Sequence, residues 1–413
     1  MDLKIYYDRS VKQDLPPDLL KELEQRDLVA INEQQTISFV GAVIHSGCIN
    51  IFLPRSSGDI PDKEKYKYAA LTMNVVEKFG HKSKTRSMAV EHGVNSAEKI
   101  NLTLVKDLLS DFQQNGLYAR HHREVRINSG KPDWKRTVNC ILPVFSKSGS
   151  PVYLDYYSSR NRHSIDNIVS NIHSEIISFL DLNFSWWITG SEKKQIAPEL
   201  LGTSYWADNV EMKLSILKQE LSNVYSDRDI ILLENLIKFL KRTEGRNQSS
   251  IIAGLKDFHN VWETMLRDIC LGVVDLNNQL PRPVYIDKFD IKHVTTGMLT
   301  DIILENEVKN KLAVIDAKYY KSLVIGDAPA TPDIVKQFFY EQVLKIIKPT
   351  HEITNSFIFP GKNGPFDEIK MFTNKGLSLS EDRFKPINCI YICPLEVMEH
   401  YLDGKKMLSI NNF

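Results

Sequence analysis

The chain has 413 residues, 42% of them hydrophobic and 25% charged, and its 52 lysines and arginines balance 52 aspartates and glutamates. This length exceeds the usual size of one hydrophobic core, and the composition argues against long disordered tracts, so we expect a folded protein of more than one domain. Because the net charge is zero, any attraction to nucleic acid has to come from local patches.

Cysteine usage and hydropathy bear on where the protein works. The five cysteines are odd in number and scattered, which is typical of reduced intracellular thiols. The first residues lack an apolar signal core, and no apolar stretch is long enough to span a bilayer. These features favour a cytoplasmic protein that does not bind a membrane.

The first half of the chain mixes strands and helices. Residues 37–44 and 48–54 are rich in β-branched and aromatic residues around a short turn, and they predict a β-hairpin. Apolar residues at helical spacing predict helices over 64–79, 102–113, 165–180, 211–225 and 229–240. Residues 1–245 therefore form an α+β region.

A basic run lies inside this region. Residues 120–136 hold six lysines and arginines against two acidic residues. The candidate contacts to DNA phosphates are Arg120, Arg123, Arg126, Lys131, Lys135 and Arg136. For any single run of this kind, a solvated charged face is a commoner explanation than a nucleic-acid contact.

A polar segment over residues 242–250 contains Gly245 and little that could pack, and we place the main domain boundary there. The second domain is expected over 251–413. Its pattern predicts, in chain order, a helix over 251–271, strands over 298–304 and 312–319, a helix over 332–347, and strands over 353–360 and 387–393. The sequence has no glycine-rich phosphate loop, so we do not expect this chain to hydrolyse nucleotides itself.

Charged residues interrupt the two apolar strands at 298–304 and 312–319. Asp301 stands on the first strand, and Asp316 and Lys318 stand on the second. The polar residues 306–311 between them favour an antiparallel hairpin. Because side chains alternate along a strand, Asp316 and Lys318 point to the same face. The hairpin therefore brings two carboxylates and one ammonium group together.

This combination suits phosphodiester hydrolysis. A hard divalent cation such as Mg²⁺ or Mn²⁺ prefers carboxylate oxygens, and it polarises a phosphate and lowers the pKa of a bound water. We expect Asp301 and Asp316 to be the metal ligands and Lys318 to orient the attacking water and stabilise developing charge. The alternative is that Asp301 and Lys318 are ordinary surface charges at strand ends.

Two flanking helices offer further candidates. Glu263 lies beside the apolar stripe of the first helix, where it is either a third metal ligand or a solvated glutamate. On the helix over 332–347, Gln337 and Tyr340 share a face. Gln337 is a candidate partner of a metal-bound water, and Tyr340 is a candidate DNA contact, although a polar face in solvent explains both equally well.

Together these residues resemble the PD-(D/E)xK nuclease superfamily, and within it the McrC-like subunits of restriction systems, including the LlaJI family. The resemblance over residues 250–350 rests on Phe258, Val261, Trp262, Glu263, Asp301, Asp316, Ala317, Lys318, Tyr319, Gln337 and Tyr340. Closer similarity to the LlaJI type rests on short motifs at 39–44, 52–55 and 134–138. One departure is Thr300, which stands where the superfamily often has proline before the aspartate.

The resemblance implies a mixed α/β nuclease fold in the C-terminal domain, with a mixed central sheet flanked by helices. It implies a Mg²⁺-dependent endodeoxyribonuclease of type II or IV character, acting in phage defence with a McrB-like AAA+ GTPase that binds DNA. The region 1–245 would then contact that partner, and the motor complex would set the oligomeric state.

Two other hypotheses remain open from the sequence. One is a nuclease of the same fold that acts without a motor. The other is a catalytically silent module that binds DNA or regulates the motor, although the presence of Asp301, Asp316 and Lys318 together disfavours it. A neighbouring gene for an AAA+ GTPase would favour the restriction subunit.

Overall fold

A computed structural model of the chain describes residues 2–30, 35–45, 47–85, 102–164, 168–192, 196–200, 208–243, 250–295, 297–320, 324–377, 379 and 384–413. It is a mixed α/β structure, which confirms the predicted fold class. Within these residues, none of the helices combines the length and the apolar character needed to cross a bilayer.

The chain forms two compact units. Unit 1 comprises Met1–Asn101, Trp186–Glu192 and Asn247–Phe413, and unit 2 comprises Leu102–Ser185 and Lys193–Arg246. The predicted boundary at 242–250 coincides with the end of unit 2. The predicted division into 1–245 and 251–413 differs from this one, because the first hundred residues cluster with the C-terminal part and unit 2 is an insertion between them.

Unit 1 contains two groups of elements. Its N-terminal elements are β1 (Asp2–Tyr7), α1 (Pro17–Glu24), β2 (Val40–His45), β3 (Cys48–Leu53) and α2 (Lys65–Thr85). Its C-terminal elements are β8 (Ser250–Leu255), α8 (His259–Ile269), β9 (Val273–Val274), β10 (Val284–Ile286), β11 (Lys292–Val294), β12 (Ile302–Asn306), β13 (Lys311–Ala317), α9 (Thr331–Ile347), β14 (Glu352–Pro360), β15 (Glu368–Ile369), β16 (Ile387–Ile392) and α10 (Pro394–Asp403). The hairpin predicted over 37–54 is confirmed as β2 and β3.

The smaller sheet of unit 1 joins its N-terminal strands to β8, the first of its C-terminal elements. Its strand order is β1-β3-β2-β8, and β8 pairs antiparallel with β2 over six residues. Gly254 fits this sheet because a Cβ there would lie 2.4 Å from the ring of Phe39. The prediction that the helix begins at 251 was therefore wrong: the β-branched Ile251 and Ile252 continue a sheet, and α8 starts only at His259.

The larger sheet of unit 1 carries the predicted hairpin. Its order is β15-β16-β14-β13-β12-β9, with β13, β14 and β16 parallel and β12 antiparallel to β13. Helix α9 packs Tyr340 and Leu344 on the face formed by Leu312 and Val314. On the other side, Trp262 of α8 contacts Tyr319, and α10 packs against α8 and α2. The mixed sheet flanked by helices is as predicted.

Unit 2 consists of α3 (Leu102–Asn115), β4 (Arg120–Ile127), α4 (Trp134–Cys140), β5 (Val144–Phe145), β6 (Pro151–Val152), β7 (Tyr157–Ser164), α5 (Ile168–Thr189, whose last turn belongs to unit 1), α6 (Val210–Leu221) and α7 (Asp227–Thr243). The guanidinium of Arg228 donates two hydrogen bonds to Asp111, of 3.0 and 2.8 Å. Buried His173 accepts a hydrogen bond from the backbone N–H of Tyr118, and burial lowers its pKa to about 4. These contacts give unit 2 its own interior.

Candidate active site

The hairpin of β12 and β13 places the two predicted carboxylates opposite each other. Ile302 pairs with Ile315, so the next position in the register sets Asp301 across from Asp316. The Asp301 carboxylate accepts a hydrogen bond of 2.8 Å from the backbone N–H of Ala317. This contact fixes one oxygen of Asp301 at the end of β13.

Lys318 lies on the same face as Asp316, as strand alternation predicts. Its Nζ is 2.7 Å from Oδ2 of Asp316 and 2.8 Å from Oδ1 of Asp333, near the start of α9. Burial lowers the pKa of Lys318, but the two carboxylates outweigh that effect and raise its pKa above the usual value. Lys318 is therefore a fixed cation, held from both sides.

A second lysine completes the charged cluster. Lys336 of α9 places its Nζ 3.6 Å from Oδ1 of Asp316, the carboxylate oxygen that Lys318 does not contact. Although burial lowers the pKa of Lys336, the charges of Asp316 and Asp301 raise it overall. The centre thus has the three carboxylates of Asp301, Asp316 and Asp333 and the two ammonium groups of Lys318 and Lys336 in one cluster.

The surroundings of Asp301 disfavour its ionised form. Burial and the neighbouring charge of Asp316 raise the pKa of Asp301, so the ionised form is disfavoured by both effects. A divalent cation held at these residues would favour the ionised form of Asp301. Asp301 and Asp316 therefore fit Mg²⁺ or Mn²⁺ by the chemistry of their donor atoms.

The amide of Gln337 supports the same fit. Its side chain is fully buried on α9, next to Lys336 in sequence, and neither its oxygen nor its nitrogen has a hydrogen-bond partner within the described residues. Buried amides are normally hydrogen-bonded, so an unpaired one on the helix that carries Lys336 and Asp333 fits a further polar partner such as an ion or a water. Gln337 remains a candidate partner of a metal-bound water.

Glu263 is placed differently. Across the parts of the chain that are described, three or more histidine, cysteine, aspartate or glutamate side chains nowhere gather into a metal-sized group. The structure brings Asp301 and Asp316 together but does not add Glu263 to them. Its predicted role as a third metal ligand therefore has no support from the geometry.

The segment before Asp301 is held by contacts that the strand pattern does not reveal. Both the backbone N–H and the hydroxyl of Thr300 donate to Oδ1 of Asn277, each at 2.9 Å. A proline at this position would offer neither donor. From α8, the guanidinium of Arg267 donates to the carbonyl oxygen of Asp301 at 3.1 and 2.5 Å. Thr300 and Arg267 therefore position Asp301.

Tyr340 has a supporting position instead of the predicted DNA-facing one. Its side chain is only 1% exposed, and its hydroxyl donates to the carbonyl of Leu299 at 2.5 Å. A residue so buried offers no surface to a duplex. The apolar ring packs on the sheet and the hydroxyl restrains the chain two residues before Asp301.

Tyr319, directly after Lys318, connects the end of β13 to the segment that follows β3 of the smaller sheet of unit 1. Its hydroxyl accepts a hydrogen bond of 3.1 Å from the backbone N–H of Arg55, and its ring contacts Phe258 and Trp262. Burial raises the pKa of Tyr319 well above its usual value, so the phenol stays neutral. The same hydroxyl lies against the buried carboxyl of Asp8, whose pKa burial raises to about 6.

Substituting Tyr319→Phe is expected to lower the free energy of unfolding by about 1–3 kcal/mol, because the ring packing remains while buried polar groups lose their partner. Urea denaturation of the full chain measures this change. The control is Tyr285→Phe, at a side chain that is 63% exposed, where the free energy should change by less than about 0.5 kcal/mol. Equal effects of the two substitutions would show that the Tyr319 hydroxyl contributes nothing.

The structure describes the side chains of only part of the basic run of unit 2. Lys131, Lys135 and Arg136 are exposed, and Arg136 lies 5.4 Å from the ring centroid of Tyr157. Strand β4 contains Arg120, Arg123 and Arg126, whose side chains lie outside the described part of the chain. An exposed basic surface suits phosphate contact, and DNA binding by this run stays a prediction.

Sequence reasoning missed Lys336, Asp333, Arg267 and Asn277. The first two lie on α9, where Lys336 directly precedes the predicted Gln337. The sequence shows a lysine at this position, but it does not show that the side chain reaches Asp316. Asp333 carries the ordinary signal of an acidic residue in a first helical turn, which by itself predicts only a favourable helix start.

Comparison with known proteins identifies the family of the chain. A protein from Bacillus subtilis (strain 168), described as "Type II restriction enzyme BsuMI component YdjA", is 26% identical over 384 residues, covering 89% of this chain and 81% of that protein. The cryo-EM structure of the Thermococcus gammatolerans McrBC complex matches 64% of this chain and 88% of its own chain, with 13% identity and a TM-score of 0.28. The family model of the LlaJI restriction endonuclease matches residues 39–391. Since this match spans most of both units, the chain belongs to the LlaJI restriction endonuclease family.

Proposed function

We propose that this chain is the cleavage subunit of a restriction system, a Mg²⁺-dependent DNA endonuclease that uses a PD-(D/E)xK centre and acts with a McrB-like AAA+ GTPase. The observation that carries the proposal is the apposition of Asp301 and Asp316 with Lys318 fixed beside them. Membership of a restriction endonuclease family supports DNA as the substrate. The type II component from Bacillus subtilis supports a multi-subunit system.

In this proposal Asp301 and Asp316 hold the metal, and the buried amide of Gln337 on α9 is the candidate partner of a metal-bound water. When bound, the metal ion polarises the scissile phosphate and lowers the pKa of a water. Lys318, held by Asp316 and Asp333, orients the attacking water and stabilises negative charge on the phosphate in the transition state. Arg267 keeps Asp301 in register through its backbone carbonyl.

We assign the contact with the AAA+ partner to unit 2, which lies almost wholly within the region 1–245 that we predicted to contact it. Large apolar side chains stand exposed on the segment from β4 to β7, among them Leu142 (93%), Leu154 (74%) and Phe145 (67%). Exposed apolar residues that form a patch are typical of protein interfaces, and the pairing of β5 with β6 brings Val144 and Phe145 next to Val152 and Pro151. The ring of Trp134, itself half exposed, lies 6.2 Å from that of Tyr153, so the surface includes aromatic residues common in binding hot spots.

The double substitution Leu142→Ser and Leu154→Ser is expected to weaken stimulation of the partner GTPase by at least about tenfold, because two exposed anchors are lost. The fold should persist, since neither side chain is buried. The control is Val308→Ser at a 94% exposed position of unit 1. GTP hydrolysis by the partner, measured against the concentration of each variant, distinguishes them; unchanged stimulation by the double variant would remove unit 2 as the contact.

The proposal as a whole is tested by DNA cleavage with Mg²⁺, with and without a McrB-like AAA+ GTPase from the same organism. We expect cleavage that depends on both Mg²⁺ and the motor. Equal cleavage without the motor would favour the stand-alone nuclease, and GTPase stimulation without any cleavage would favour the silent regulatory module. Failure of both activities would refute the restriction-subunit proposal.

A further inference from the structure

The two lysines of the centre approach Asp316 from different sides. Nζ of Lys318 is 2.7 Å from Oδ2 of Asp316, whereas Nζ of Lys336 is 3.6 Å from Oδ1. The carboxylate therefore lies between two ammonium groups. A phosphate whose metal is held by Asp316 would have one ammonium on each side.

The two ammonium groups also differ in restraint. Lys318 is 14% exposed and has a second carboxylate partner in Asp333. The side chain of Lys336 is 36% exposed, and its Nζ lies 5.5 Å from the ring centroid of Tyr340. The Tyr340 hydroxyl also interacts with Lys336, but contacts with a neutral tyrosine are weak compared with a close ion pair. Lys336 thus presents its charge at the open side of the centre, where a substrate can reach it.

In-line displacement at phosphorus places the attacking and leaving oxygens on opposite sides of the phosphate. In the proposed function, Lys318 lies on the side of the phosphate that the water attacks. Lys336 would then lie on the side of the leaving oxygen. The charge that develops on the leaving oxygen is stabilised by a cation aimed at it in a partly water-excluded site. Neither of the aspartates can supply that charge.

We propose that Lys336 is a further catalytic residue, whose ammonium contacts the leaving sugar oxygen of the scissile phosphodiester and stabilises its developing negative charge. One water is consumed. Its oxygen bonds to phosphorus and it releases a proton to solvent. The bond between phosphorus and the sugar oxygen breaks, the electron pair stays on the sugar oxygen, and that oxygen takes a proton from solvent. This inference rests on the proposed nuclease function.

The test uses the full chain with its motor partner and a substrate in which sulfur replaces the leaving oxygen at the mapped cut site. Sulfur carries negative charge well and needs less electrostatic help. On normal DNA, Lys336→Gln should slow kcat by about 10²-fold, a scale typical of losing one charge-stabilising group. On the sulfur substrate the loss should shrink to less than about threefold, and Lys336→Arg should retain more activity than Lys336→Gln on normal DNA because it keeps the charge.

Other readouts separate this role from a structural one. DNA affinity measured with Ca²⁺ in place of Mg²⁺, and Mn²⁺ affinity measured by calorimetry, should stay within about twofold of the parent chain. The control Lys292→Gln, at an exposed lysine of β11, should cleave both substrates like the parent. Equal slowing of Lys336→Gln on both substrates, or an effect on KM alone, would overturn the proposal. If the parent chain cleaves neither substrate, the proposed function itself fails.

Discussion

Substituting Asp316→Asn is expected to reduce DNA cleavage by more than about 10³-fold, a loss on the scale of removing a group that acts in the transition state. Asparagine keeps the size of the side chain but removes the charge that a divalent cation requires. Asp316 is 5% exposed, and both lysines of the centre contact its carboxylate. Initial rates of plasmid cleavage under saturating Mg²⁺ measure the effect.

The matched control for this substitution is Asp290→Asn, an exposed carboxylate of unit 1 whose positive φ asparagine also tolerates. It should cleave DNA at the parent rate. The Asp316→Asn protein should still unfold cooperatively, because Lys318 keeps Asp333 as a partner. Full activity in a folded Asp316→Asn protein would show that the metal site lies elsewhere.

Substituting Lys318→Met is expected to reduce kcat by about 10²–10³-fold while Mn²⁺ binding survives. The reason is that Lys318 contributes charge stabilisation and not a metal ligand. Removing the ammonium makes the electrostatic potential at Asp316 and Asp333 more negative. The affinity for a divalent cation should therefore stay equal or increase. Calorimetric titration with Mn²⁺ and single-turnover cleavage, carried out on the same preparation, measure the two quantities separately.

Lys311→Met provides the comparison on the same strand. Lys311 stands at the other end of β13 in a half-exposed ion pair with Glu352, which should be worth less than about 1 kcal/mol. Both cleavage and Mn²⁺ binding should be unchanged in this control. Simultaneous loss of Mn²⁺ binding and cleavage in Lys318→Met would mean that Lys318 holds the carboxylates in place and does not act on the phosphate.

The hairpin of β12 and β13 was predictable because its information is local. Strand alternation and a short polar turn suffice to bring Asp301, Asp316 and Lys318 to one place, and the structure has them there. The supporting contacts were not predictable in the same way. Arg267 reaches Asp301 from a helix 34 residues earlier, and nothing in its local pattern distinguishes it from a solvated arginine.

The division into domains was harder to predict for the same reason. The pairing of β2 with β8 joins residues some two hundred positions apart, and unit 2 is inserted between them. A short run of β-branched residues such as Ile251–Ile252 is read equally well as the start of a helix, since periodicity cannot separate a buried strand from a helical segment of that length. Only the partner strand decides between them.

The presence of β8 in the smaller sheet also changes which truncations are informative. A fragment that starts at residue 251 keeps most of β8 but loses β2, the strand that β8 pairs with. Variants of the full chain therefore test the site more cleanly than fragments do.

The most direct test of the central claim is a Mg²⁺ titration of plasmid cleavage by the full chain with its motor partner, compared with the Asp301→Asn chain in the same assay. We expect no cleavage in EDTA, cleavage that rises with Mg²⁺ and returns when Mg²⁺ is restored, and none from Asp301→Asn at any concentration. Cleavage by the parent chain in EDTA, or by the Asp301→Asn chain at the parent rate, would contradict a two-carboxylate metal centre at this hairpin.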